Sequence, residues 1–376
     1  MKIDVLCDVA VSFAADRACA YPQPAVAADG SVVCVYRRAQ EKHSYDGVLV
    51  SQRSADLGQT WSPATIVFDG QKRQPPHSPS SSGLCLCEDG SLLAILCATE
   101  VTRPDTYVYS EEGLQQQEFV ITTRSTDHGH SWDAPRCLEA DFAHLGPGAN
   151  PVLLADGTLF LHGEHPFEHG QLGVCASLSR DHGANLEPVQ DLIVDRSGTF
   201  SHCDARFAVF GDGDVLGLLW TFRQSDEKTV EVHRSVSSDN AETWSAPQPV
   251  GYLGQITDPL ILGGDTVLAA SNYRWPPEGI RLWLSRDRGQ TWPVEESVQM
   301  WDAREKRTVA EPRGIAPRKS DTAVWNALPE FTFGTPTLNH LPDGSILLTY
   351  YARHEGREVI RACRMLVELP ESSILP

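Results

Sequence analysis

No run in these 376 residues approaches the roughly 18 consecutive apolar residues that a membrane-crossing helix needs, so no membrane span or membrane partner is expected. Positive charge is scarce too: 31 Lys and Arg stand against 50 Asp and Glu, a formal charge of -19. Neutralising phosphates takes a basic surface, which excludes general nucleic-acid affinity. The cysteine spacing of a zinc site is missing. The ten cysteines are scattered with no CxxC pair, and no disulfide framework emerges. Cys85 and Cys87, two apart in a strand pattern, read as small buried hydrophobes on one face. An uninterrupted apolar leader is also absent: Met1-Lys2-Ile3-Asp4 opens an alternation broken by acids, so no signal peptide is read and a cytoplasmic location is expected. With 41% hydrophobic and 22% charged residues, the chain has ample material for a core.

What the chain has in plenty is a repeat. Residues 285–292 (SRDRGQTW) have near-copies at 54–61 (SADLGQTW), 125–132 (STDHGHSW) and 237–244 (SSDNAETW), with a decayed copy at 179–186 (SRDHGANL). Ser and Asp can bond the backbone of a tight turn, Gly tolerates positive φ there, and Trp buries a large ring against a neighbouring repeat. A second turn precedes each box: Asp29-Gly30, Asp89-Gly90, Asp156-Gly157, Asp212-Gly213 and Asp343-Gly344, with Gly264-Asp265 as a variant. Six such turns mean six units, each reading strand, Asp-Gly turn, strand, strand, box, strand. The sixth unit ends without a box, and the amino-terminal alternation of Ile3, Val5, Cys7, Val9, Val11 and Phe13 is left over.

These patterns predict an all-β fold, a six-bladed β-propeller of four-stranded antiparallel blades over residues 1–376, in which the amino-terminal strand completes the last blade and closes the ring. An insertion falls at 101–118. The longest connection, 293–333, is rich in Pro, Arg, Asp and Glu; it reads as a lid, an outer brace or a homo-oligomer contact. Boxes and Asp-Gly turns lie on one end of the ring, so function is expected at the other.

The boxes resemble the Asp boxes of the sialidase superfamily, and the resemblance covers essentially the whole chain. In that family three arginines grip a sugar carboxylate. The resemblance implies that Arg37 and Arg38, together with Asp46, match the family's Arg after the second strand and its acid before the third. It also assigns Arg223 (LLWTFR) and Arg281 (GIRLW) as second and third clamps. Two departures stand out. Pro22 occupies the place of the first clamp Arg, and Thr335 that of the nucleophilic Tyr, while Asp204 lies near the family's assisting Glu.

From the residues themselves, the functional rim gathers His43, Asp46, Glu164 and Asp204 as candidate catalytic groups. Arg37, Arg38, His202, Arg206, Arg223, Arg274, Arg281, Tyr350 and Arg353 are candidate substrate contacts. Glu164 and Asp204 come from adjacent blades and form the preferred acid/base or nucleophile pair, with Asp46 as rival and His43 as proton shuttle. His202, Asp204 and Arg206 alternate and would share one strand face. His162-Gly163-Glu164-His165 resembles a metal fragment, yet only His162 and Glu164 share a face; no metal or cofactor is implied. Arginine forks on an acidic chain suit an anionic saccharide. The expected activity is an exo-acting glycoside hydrolase on an acidic or deoxy sugar. A polysaccharide lyase on uronates and a non-catalytic glycan-binding propeller are the alternatives.

Overall fold

The structure, a computed structural model, describes residues 1–12, 16–103, 117–138, 148–166, 170–303, 331–354 and 356–369. Residues 104–116 of the insertion and 304–330 of the long connection lie outside them, as does the side chain of His165.

Each Asp-Gly turn closes on itself. Asp29 Oδ1 accepts from the Ser31 amide and hydroxyl at 3.0 and 2.5 Å, and Gly30 takes φ +81°. The boxes add a second kind of turn: Ser54 Oγ accepts from the Gly58 amide at 2.8 Å, Asp56 Oδ1 from the Thr60 amide at 2.8 Å, and Trp61 Nε1 donates to the Gly58 carbonyl at 3.1 Å. The box also docks its blade on the one before. A Cβ on Gly129 would lie 2.7 Å from Val33 Cγ2, and Trp132 Nε1 reaches across the same interface to Ser51 Oγ at 3.0 Å. One local motif therefore shapes a hairpin and joins two repeats.

Blade 1 consists of Ala18–Val26, Val32–Ala39, Val48–Ser54 and Thr65–Phe68, hydrogen-bonded in that order from the axis outward. The inner strands of the next five blades are His77–Leu86, Val152–Leu153, Phe200–Val209, Thr257–Gly263 and Phe333–His340. Blade 6 takes its outer strand from the amino terminus, with Lys2 opposite Glu368 and Ala10 opposite Arg361. The propeller and its closure are as the sequence predicts. The core is divided among the blade interfaces: Val33, Leu84 and Leu92 pack between blades 1 and 2, and Val32, Tyr36 and Leu347 between blades 6 and 1.

The inner strands are not regular. Pairing slips between Ala20 and Gln23, Pro79 and Ser81, Cys203 and Arg206, and Gly334 and Thr337. Within three of these bulges a non-glycine residue has positive φ: Tyr21 (+60°), Asp204 (+44°) and Thr335 (+50°). Each stands eight residues ahead of the aspartate of its Asp-Gly turn, Asp29, Asp212 and Asp343 respectively. Such backbone costs about 1–3 kcal/mol per residue and gathers where side chains are aimed for function.

Candidate active site

Glu164 and Asp204 meet. Glu164 lies on the second strand of blade 3 and its Oε2 accepts a hydrogen bond from the Asp204 amide on the inner strand of blade 4. The bulge makes this contact, turning the Asp204 amide toward the neighbouring blade. Burial, and then the charge of Asp204, push the Glu164 carboxyl up to about 8. Burial raises Asp204 as well, with the charge of Arg206 pulling it back. Arg206 stays at 3.8 Å from Asp204 Oδ1 because its Nη2 donates to the Gly148 carbonyl at 2.8 Å and its Nη1 to the Ala205 carbonyl at 3.1 Å. Two half-buried carboxyls thus lie near one incompletely engaged cation, and the Asp204 side chain keeps 26% of its exposure. His162, below them, is held neutral by burial at about 3.

A second group forms where blade 1 meets blade 6. Tyr21, in its bulge, places its hydroxyl 3.3 Å from His43 Nδ1 and packs edge-on against Tyr351 with centroids 5.6 Å apart. Lys42 Nζ lies 5.5 Å from the Tyr351 ring centre and donates to the Phe331 carbonyl at 2.5 Å. Arg274 closes this side, its guanidinium 4.0 Å from both the Phe331 and Phe333 rings and bonded to Gln255 Oε1 (3.0 Å) and the Phe333 carbonyl (2.6 Å). Gln23 links the two groups, donating at 3.2 Å to the Gly148 carbonyl that also receives Arg206.

Other predicted contacts are disposed differently. Arg37 is buried and donates to the carbonyls of Pro79 (2.8 Å), Lys42 (2.8 Å), Glu41 (3.3 Å) and Ser44, so it ties blade 1 to blade 2 and shapes the 40–46 loop. Arg38, the next residue, is half-buried on the other face of that strand. Asp46 accepts from the Gln40 amide at 3.0 Å, from Ser44 Oγ at 2.6 Å and from Arg17. Burial acts to raise its carboxyl, but those hydrogen bonds and the charges of Arg17 and Arg37 hold it below the ordinary range. Arg223, at the end of its strand, pairs with Asp226 at 3.0 Å. Arg281 stacks 4.1 Å over Tyr273 and bonds Gln299 Oε1 at 3.0 Å. Arg353 is bound to Glu358 at 2.6 Å.

Two expectations are corrected. Tyr350 is not on the rim: it is 2% exposed, inside the core between blades 5 and 6. Nor do His202, Asp204 and Arg206 share a face, because the bulge after Cys203 breaks the alternation. His202 instead bonds Thr221 Oγ1 at 3.1 Å and lies 5.4 Å from the His233 ring; burial, then the charge of His233, lower it to about 3. Gln23 was not anticipated, although its fixed distance from the Asp-Gly turn is a signal in the sequence.

No curated protein matches the sequence closely enough to count as a relative. Among solved structures, a protein of unknown function from Dyadobacter fermentans has a TM-score of 0.74 at 19% identity, over 97% of this chain and 99% of that one. The intramolecular trans-sialidase of Ruminococcus gnavus, in complex with oseltamivir carboxylate, has a TM-score of 0.62 at 13% identity, over 98% of each chain. The leech intramolecular trans-sialidase gives 0.63 at 13% identity, over 96% of this chain and 70% of that one. These are likenesses of fold. The family model for the BNR repeat-like domain matches residues 105–308, more than half of the 376. Together with the six-bladed ring of box-bearing hairpins, that match makes this chain a member of the BNR repeat-like domain family.

Proposed function

We propose that this protein is an exo-acting glycoside hydrolase that removes an acidic or deoxy sugar from a saccharide, with Glu164 and Asp204 as its working carboxyls. The observation that carries the reading is their half-buried pairing. Hydrolysis needs one group to hand a proton to the departing glycosidic oxygen and another to act at the anomeric carbon. Glu164, which burial and Asp204 keep protonated through neutral pH, suits the first task. Asp204, in a strained bulge beside Arg206 and partly exposed, suits the second, as base toward water or as nucleophile. Lys42, Arg206 and Arg274 give the site the positive charge an anionic sugar would meet, and Tyr21 and Tyr351 offer rings to its apolar face. A cytoplasmic location belongs to the same proposal; its support is that all ten cysteines are free thiols.

The test is a panel of 4-methylumbelliferyl glycosides spanning sialosides, uronides and deoxy sugars. Release is expected from at least one, with Asp204→Asn and Glu164→Gln each lowering kcat by roughly 10²- to 10⁴-fold while the fold is retained. Full turnover in both variants, or no cleavage of any glycoside, refutes the reading. A second reading, a lyase acting on uronates, is favoured by the Tyr21 hydroxyl 3.3 Å from His43, a pair suited to abstracting a carbon-bound proton. It is distinguished by an ultraviolet-absorbing unsaturated product whose formation Tyr21→Phe abolishes.

A further inference from the structure

One layer below the bulges the inner strands bring a second set of residues toward the axis. Gln23, Gly83, Asn150, Arg206 and Thr337 each stand six residues ahead of their turn aspartate, and Asp258 stands six ahead of Gly264. They are cross-linked around the ring: Asn150 Oδ1 accepts from the Leu84 amide at 2.9 Å and its Nδ2 donates to the Pro24 carbonyl at 2.8 Å, while Gln23 and Arg206 share the Gly148 carbonyl. Asn150, Arg206, Asp258 and Thr337 of this layer line an open axial cavity of about 400 Å³ between the six inner strands. Arg206 is the one arginine or lysine among the described residues that line it.

Asp258 reaches the same space from blade 5, where its Oδ2 accepts from the Leu338 amide of blade 6 at 2.7 Å. Burial pushes its carboxyl up to about 7, against the Leu338 hydrogen bond and the charge of Arg206. Arg206 acts electrostatically on Glu164 and Asp204 as well. Its Nε is buried with no hydrogen-bond partner among the described residues, as are Gln23 Oε1 and Thr337 Oγ1 in the same layer. A single guanidinium therefore stands between acids on two sides, held by carbonyls and closed onto neither.

We propose that Asp258 is a positioning residue for the Glu164–Asp204 pair: from the adjacent inner strand, lining the same cavity, it competes for the charge of Arg206 and so leaves the pair short of positive charge. Without that competitor the charge of Arg206, 3.8 Å from Asp204, would act undivided on the pair, and the proton on which the hydrolytic reading depends would be held less tightly. The inference rests on that reading for its meaning in catalysis. Other titratable groups on the strands packed against Asp258 are few. Asp204, Cys203 and His202 lie on the inner strand of blade 4, with His202 turned to His233. Arg223 and Tyr273 lie at the ends of second strands, and His340 bonds the Ile261 carbonyl at 2.7 Å toward the far end of the cavity. Across the axis, burial keeps His162 neutral, and Cys85 is a thiol.

The experiment is a carbon-13 NMR titration of the side-chain carboxyls of the full chain, with Glu164→Gln used to assign the Glu164 resonance. In Asp258→Asn, which keeps an oxygen for the Leu338 amide, the Glu164 midpoint is expected to fall by about one pH unit or more. Asp258→Glu, which keeps the charge, returns it toward the wild-type value. Asp258→Ser serves if the asparagine variant does not fold. An unchanged Glu164 midpoint overturns the proposal, and so does one that stays low in the glutamate variant. The measurement needs no substrate: a lowered midpoint in a protein that cleaves no glycoside upholds this inference and sinks the hydrolase reading alone.

Discussion

Replacing Glu164 by Gln removes one ionisable group and keeps an oxygen able to accept from the Asp204 amide. In the folded protein the Glu164 carboxyl titrates at about 8, against an ordinary value of 4.5. Between those values the folded state holds a proton that the unfolded chain has released, so stability falls as pH rises across that window and levels off above it. A shift of that size corresponds to at most about 5 kcal/mol at 1.36 kcal/mol per unit. Because part of that shift comes from the charge of Asp204 and belongs to both groups, a gain of about 2–4 kcal/mol is expected for the variant at pH 9. At pH 5, where wild-type Glu164 is as neutral as Gln, the two proteins should agree to within about 1 kcal/mol. Denaturant unfolding of both proteins at half-unit steps from pH 5 to 9 reads the difference directly. Parallel curves would refute the protonated Glu164 and with it the acid assigned to the proposed hydrolysis.

Arg37 and Arg223 should separate in stability assays. Arg37→Ala strips donors from buried carbonyls in two blades and is expected to cost about 2–4 kcal/mol, whereas Arg223→Ala, at an exposed pair, should stay within about 0.5 kcal/mol. Equal effects in thermal unfolding would contradict the structural role given to Arg37. Gly129→Ala meets Val33 at 2.7 Å with φ +85° and should lose about 1–3 kcal/mol, while the same change at Gly198, open on all sides though also at positive φ, should lose less. Trp292→Ala empties a site packed against Tyr252 and should cost about 3–5 kcal/mol; a smaller loss by chemical denaturation would mean that the box contributes little to docking the blades.

The amino-acid sequence by itself determined the number of blades, the closure of the ring and the end on which the boxes lie. The reason is that the signals are local: a Ser, an Asp, a Gly and a Trp within eight residues make their own turn, whatever surrounds them. It also brought Glu164 and Asp204 into one pairing, because adjacent blades follow from adjacent repeats. The side-chain directions were decided only in three dimensions. Alternation puts His202, Asp204 and Arg206 on one face, but a slipped register at Cys203 sends His202 to His233 and Asp204 to Glu164. Arg37 looks like a sugar clamp by position, yet four backbone carbonyls that converge only after folding take its donors. Burial made the remaining distinction: it neutralises His162 and keeps a proton on Glu164, and no neighbour in the chain encodes how deeply a residue will lie along the axis of a ring.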